Sequence, residues 1–255
     1  MTNMDVQEMR ATFRHLHEAE ELFVMPNPWD IGSAKALEHL GVVALATTSS
    51  GHASSLGRAD GDVTRQELVE HVTKLAEAID VPLNVDSERC FADDAEGIRE
   101  TVRLLAEAGA SGCSIEDWEP DAATIDPLDV AVERVAAAVD AANEFGLVLT
   151  ARAENHLRGF SDLDDTITRL SAFRDVGAGC LYAPGLTSSA DIERVVREVG
   201  APINILLMQN GPSIAQLADL GVRRVSTGGA LAEAAYATLK ARVPMLDEAA
   251  GGVTD

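Results

Sequence analysis

The 255-residue chain is short of several things that would settle its class at once. No apolar run approaches the ~20 residues a membrane span needs, so no membrane partner is expected. Aromatic residues are 4% of the sequence, which leaves Ala, Val and Leu to fill the core. Three lysines, Lys35, Lys74 and Lys240, all lie in stretches of helical pattern, and this argues against Schiff-base chemistry. Three scattered cysteines, Cys90, Cys113 and Cys180, predict free thiols in a reducing cytoplasm rather than a disulfide framework. Positive charge is scarce, and a net charge of −22 weighs against a nucleic-acid partner, because phosphate binding wants a basic face. There is no Gly-x-x-x-x-Gly-Lys loop, no Gly-x-Ser-x-Gly elbow, no Gly-x-Gly-x-x-Gly after an early strand and no His-x-x-His pair.

What is present is a repeated alternation. Short apolar or β-branched runs occur at Leu22–Pro26, Val42–Thr47, Pro82–Asp86, Gly112–Glu116, Leu147–Arg152, Cys180–Ala183, Pro202–Leu207 and Arg224–Thr227. Amphipathic helical patterns separate them, such as Arg65–Ile79, Asp94–Ala108 and Leu128–Phe145. Glycine closes several helices, in "HLGV", "EAGA", "DVGA" and "DLGV", where the left-handed conformation suits it. Eight βα units predict a (β/α)8 barrel, with a doubly wound open sheet as the competing arrangement. One domain is expected over 1–255: an N-terminal helix at about 5–21, the barrel at about 22–243 and a short C-terminal tail. The polar N-terminus, "MTNMDVQEMRATFRHLHEAEE", reads as a helix rather than a signal peptide.

In such a barrel the C-terminal strand ends converge on one face, where active sites sit. Asp86 and Glu88 follow the third strand, and Glu116 ends the fourth. Hard oxygen ligands with few imidazoles suit Mg²⁺ or Mn²⁺ rather than zinc, with some ligands reaching through water. The hydroxyls and backbone N–H groups of Thr48, Ser49, Ser50 and Gly51 suit a carboxylate or phosphate. Arg152 closes the apolar run "LVLTAR", and a buried guanidinium needs an anionic partner: Glu154, Glu116 or a substrate. Asn155 and His156 follow it; His156 is expected to pack the loop, and His52 to stand near the same face. Cys90, beside Phe91, is expected to be a buried, inert thiol.

The ordered set "PNPWD", "ALATTSSGHASSLGRADGD", "VDSE", "GCSIED", "TARAE" and "YAPGL" resembles the phosphoenolpyruvate mutase/isocitrate lyase superfamily, over about Leu22 to Val243. The likeness points to the carboxyvinyl-carboxyphosphonate phosphorylmutase and methylisocitrate lyase-like branch. It implies a barrel that binds Mg²⁺ and a small anionic oxo acid or its enolate. It also implies a homodimer or homotetramer that exchanges its last barrel helix, here Ala230–Arg242. By resemblance Asp86 is the direct metal ligand, Glu88 and Glu116 hold metal waters, and Asp60 of "GRAD" is a further outer acid. Thr48, Ser49, Ser50 and Gly51 would bind the substrate carboxylate, and Arg152 and Asn155 its other end. Arg152, Glu116 and Asp60 are the catalytic candidates. The sequence departs from the family after Glu116. "EDWEPDAATIDPLD" carries neither the lyase loop with its proton-donating Cys nor the Lys- and Asn-bearing mutase loop. Arg89-Cys90-Phe91 stands where "GYG" is usual. The resemblance therefore implies a C–C lyase or decarboxylase acting on a small 2-oxo or 2-hydroxy diacid. Phosphonate P–C chemistry and a non-catalytic oxo-acid-binding barrel are the alternatives.

Overall fold

The computed structural model describes residues 5–249, with side chains as far as residue 242. In chain order the first half comprises α1 (Val6–Glu18), β1 (Phe23–Met25), α2 (Ile31–His39), β2 (Leu45–Ala46), α3 (Ser49–Ser55), α4 (Arg65–Ala78), β3 (Leu83–Asp86), α5 (Ala95–Glu107), β4 (Gly112–Glu116), β5 (Trp118–Glu119) and β6 (Thr124–Ile125). The second half comprises α6 (Leu128–Phe145), β7 (Val148–Arg152), α7 (Leu163–Asp175), β8 (Cys180–Tyr182), α8 (Ser189–Val199), β9 (Ile203–Leu206), α9 (Ile214–Asp219), β10 (Arg224–Ser226) and α10 (Ala230–Ala249). Each predicted apolar run contains one of the eight parallel strands, which lie in the order β1-β10-β9-β8-β7-β4-β3-β2.

The sheet curls until β1 faces β2, forming the expected (β/α)8 barrel. The seam is closed by the Ala46 N–H donating to Pro26 O at 3.1 Å, and by Asn27. Asn27 Nδ2 donates to Thr47 O, while its Oδ1 accepts from the N–H groups of Thr227 and Gly228. One side chain thus ties the upper ends of β1, β2 and β10.

The outer layer follows from helix patterning. Ile98, Val102 and Leu105, spaced at i, i+4 and i+7, are fully buried, as are Ala138 and Ala142 on the facing helix α6. Alanine on α6 lets it lie close against α5, so a core poor in aromatics still packs. Inside the barrel the order is different. The floor is plugged from below by α1, whose Phe13 packs edge-on against His17 and Phe23. Gly112 is required there, since a Cβ at that position would sit 2.6 Å from the Phe13 ring. Above this plug, inward strand positions carry small polar groups, among them Asn84, Ser114, Thr150, Asn204 and Ser226. Bulky branched residues usually fill that space. Their absence leaves a cavity of about 720 Å³ open to the upper face.

Two features differ from expectation. The segment after Glu116 is not an open loop, because β5 and β6 pair as an antiparallel hairpin. The last helix runs on past Arg242 to Ala249; the end of the expected tail lies outside the described residues.

Candidate active site

Strand register assembles the site. Parallel pairing sets Asp86 beside Ser114, and Glu116 beside Arg152, which in turn neighbours Tyr182. With inward positions recurring every second residue, the carboxylates of β3 and β4 and the guanidinium of β7 point to one place. Arg152 Nη1 is 2.8 Å from Asp86 Oδ1, while Nη2 is 3.3 Å from Glu116 and 2.8 Å from Glu154. Burial alone would weaken the charge on Arg152, but Glu154, Glu116 and Asp86 raise its pKa well above the ordinary value. Glu116 is pushed up by burial, with Glu154 and Asp86 adding to the shift against the opposing Arg152. Of the partners the sequence left open for Arg152, the two carboxylates are both engaged, together with Asp86.

Asp86 is held from the other side too. Its backbone N–H donates to Thr47 Oγ1 at 2.8 Å, and its Oδ2 accepts the Ser49 N–H at 3.2 Å. Thr48 caps α3, accepting from the Gly51 N–H, and its hydroxyl lies 3.2 Å from that of Ser50. Thr48, Ser49 and Ser50 line the cavity. Gly51 does not: a Cβ there would sit 2.6 Å from the Thr48 methyl and 3.1 Å from Trp29, so this glycine serves close packing of α3. Asn155 is also turned away from the cavity. It is buried and donates to Thr166 Oγ1 at 2.7 Å, bracing the loop before α7. His52 is likewise not at the mouth; it stacks on His71 of α4 with ring centroids 3.7 Å apart.

Glu88 stands at the rim with Asp60 and Asp86. It forms no ion pair among the described residues. Burial, then Asp86 and Asp60, push its carboxyl up to about 7. The loop that carries it is strained: Glu88, Cys90 and Phe91 have φ of 49°, 61° and 54° without being glycine. Arg134 of α6 holds that conformation by donating to the carbonyls of Arg89, Ala92 and Asp93. Thr101 Oγ1 adds a 2.6 Å bond to Cys90 O. The Cys90 thiol is fully buried and pushed up to about 11 by burial, in keeping with an inert thiol.

Among the described residues, no three Asp, Glu, His or Cys side chains form a preformed ligand cluster; Arg152 takes up two of the three acids predicted to bind metal. The donor set nevertheless fits a hard dication. It is carboxylate oxygen without imidazole, and Glu88 is a half-buried acid that forms no ion pair among the described residues and stands beside two further acids.

Several cavity residues were given no role by the sequence. Tyr182 lies under the Arg152 guanidinium, 5.2 Å from ring centroid to Cζ. The β5–β6 hairpin overhangs the mouth with Trp118, Glu119 and Asp121. It is clamped by Arg89, which pairs with Glu119 at 2.8 Å and Asp126 at 3.3 Å, while Arg158 stacks on Trp118. "WEPDAATID" lacks strand alternation, so only the folded contacts reveal this rim.

The family model described as phosphoenolpyruvate phosphomutase matches residues 13–246. The chain belongs to this family. It is 31% identical over 242 residues to an oxaloacetate decarboxylase of Paraburkholderia xenovorans, covering 91% of this chain and 79% of that one. An uncharacterised Mycobacterium tuberculosis protein is 34% identical over 219 residues, 85% of this chain and 81% of the other. A Burkholderia cenocepacia structure, whose assignment stops at lyase/mutase, superposes with TM-score 0.90 at 45% identity, covering 98% and 95% of the two chains. A 2,3-dimethylmalate lyase at 23% identity and TM-score 0.86 shares the fold. The protein is an enzyme of the phosphoenolpyruvate mutase/isocitrate lyase superfamily.

Proposed function

We propose that the protein is a divalent-cation-dependent C–C lyase or decarboxylase acting on a small 2-oxo or 2-hydroxy diacid. The observation that carries this reading is the set Asp86, Glu88, Glu116 and Asp60 at one cavity mouth, beside a cationic Arg152. Asp86 would bind Mg²⁺ or Mn²⁺ directly, with Glu88 and Glu116 reaching through water. A cation held there would supply dipositive charge that favours the electron-rich state left when a C–C bond breaks.

The protein's own groups do the rest. Ser49 and Ser50, at the start of α3, would offer their hydroxyls, and Ser50 its backbone N–H, to the carboxylate next to the oxo group, while the Ser49 N–H holds Asp86. Arg152 meets the second anionic group while remaining paired with Glu116 and Glu154. Trp118 and its hairpin overhang the mouth and would limit the water that reaches a bound substrate. The 31% identity to an oxaloacetate decarboxylase supports the diacid class.

Nuclear magnetic resonance of ¹H and ³¹P on mixtures with oxaloacetate, methylisocitrate or phosphonopyruvate and added Mg²⁺ tests the reaction. Turnover of a carbon diacid is expected; turnover of phosphonopyruvate alone would move the assignment to P–C chemistry. Asp86→Ala should abolish Mg²⁺-dependent oxalate binding with the fold intact. Unchanged oxalate affinity by calorimetry would remove the metal assignment.

A further inference from the structure

Deeper in the same cavity lies a cation that the reading above does not use. Arg224, on β10, is 2% exposed and lines the cavity floor. Its Nε donates to Asn204 Oδ1 at 2.9 Å and its Nη2 to Thr150 Oγ1 at 3.0 Å. Its Nη1 is 3.0 Å from His17 Nε2. The other ring nitrogen of His17 lies 2.8 Å from Phe13 O and donates to it, so Nε2 is the bare acceptor and the ring is neutral. All three partners are therefore neutral.

No carboxylate pairs with Arg224 among the described residues. The acidic side chains whose charge would act on Arg224, Cys180 and Tyr182, are both shifted by burial towards their neutral forms. The carboxylates one layer higher are taken by Arg152. An ionised side chain removed from water without a counter-charge is costly, and arginine is almost never fully buried unpaired. A guanidinium also has five N–H groups, of which these neutral contacts engage three.

We propose that Arg224 is the centre of a buried site for a small monoanion, a halide ion or the carboxylate of a small acid, on the floor of the barrel cavity. The anion supplies the counter-charge that the fold omits. Its size is limited by the Asn204, Thr150 and Ser226 side chains around it, and it reaches the site through the same opening as the substrate. This inference stands apart from the choice of reaction, because it needs neither the metal nor turnover.

The test is thermal unfolding of the full chain at one fixed ionic strength, in sodium chloride, bromide or formate, against the sodium salt of a bulky sulfonate buffer. At ten times the dissociation constant, a site of this kind raises the midpoint by about 3–6 °C for a chain of this size. The increment should vanish in Arg224→Met, whatever the variant's own midpoint. Equal rises from formate and chloride assign the site to both carboxylate and halide; a rise with halides alone assigns it to inorganic ions. Equal midpoints in all four salts, or an increment that persists in Arg224→Met, would overturn the proposal. Should that variant fail to fold, bromide-soaked crystals of the unaltered protein decide the matter: an anomalous peak against the Arg224 guanidinium supports the site, and a floor without one removes it.

Discussion

Arg152 Nη1 and Asp86 Oδ1 lie 2.8 Å apart, so the residue predicted to grip the substrate also holds the residue predicted to grip the metal. Arg152 carries Glu116 and Glu154 as well, and one cation is thus shared among three carboxylates. A bound dication would relieve that sharing and free guanidinium donors for substrate. Arg152→Lys keeps the charge and loses the fork, which matters wherever two-point recognition is used. Binding of dianionic oxo acids should weaken by about ten- to a hundred-fold, the factor that corresponds to ~1.5–3 kcal/mol. Pyruvate, with one carboxylate, should be affected much less. Equal losses for pyruvate and oxaloacetate, measured by calorimetry with Mg²⁺, would show that Arg152 only braces its acids.

Arg134 has its own test. Three non-glycine residues at positive φ cost of order 1–3 kcal/mol each, and three carbonyl contacts from one guanidinium hold them. Arg134→Met should release the Glu88 loop, weaken Mg²⁺ binding by roughly tenfold, as loss of about 1.4 kcal/mol implies, and open the buried Cys90 to thiol reagents. A native-state Cys90 that stays as unreactive as in the unaltered protein would show that the loop keeps its shape without Arg134.

The stacked pair His52 and His71 predicts a pH effect. Both rings are buried, and His52 Nδ1 and Nε2 and His71 Nε2 have no hydrogen-bond partner. Burial, then His52, depresses His71 to about 3 from 6.5. The unfolded chain therefore takes up a proton between pH 6.5 and about 3 that the folded chain refuses. The stability contributed by neutral His71 is complete above pH 6.5 and declines below it, by about 2 kcal/mol at pH 5. Glu88 and Asp117, raised by burial to about 7 and about 6, act in the opposite direction, so the difference between two proteins isolates the histidine. His71→Phe should lose about 2 kcal/mol less than the unaltered protein between pH 7 and pH 5, by urea midpoints. Parallel pH curves would count against the assignment.

The last helix bears on assembly. Beyond Ala232, α10 lies largely exposed as far as its side chains are described, with Leu239 63% exposed. A helix with this little cover on its own barrel suits donation to a second copy. We expect at least a dimer by light scattering at micromolar concentration, and Leu239→Lys should shift the equilibrium towards monomer. A monomer in the unaltered protein would end this expectation.

The sequence by itself determined the barrel. Eight apolar runs separated by 3.6-periodic helices leave few ways to bury both faces of every strand, and each run appears as a strand. It also determined which acids end β3 and β4, because strand ends are read directly from where apolar alternation stops. Other features were invisible in it. That Asn155 turns to Thr166, that Gly51 serves packing against Trp29 and that His52 stacks on His71 depend on neighbours 11, 22 and 19 positions away along the chain. The hairpin over the mouth is clamped by Arg89, which reaches Glu119 and Asp126, a contact that no local pattern encodes. The sharing of Arg152 among three acids and the unpaired charge of Arg224 were likewise decided only in three dimensions. Both follow from strand register, which sets facing side chains from separate strands at fixed heights inside a closed barrel.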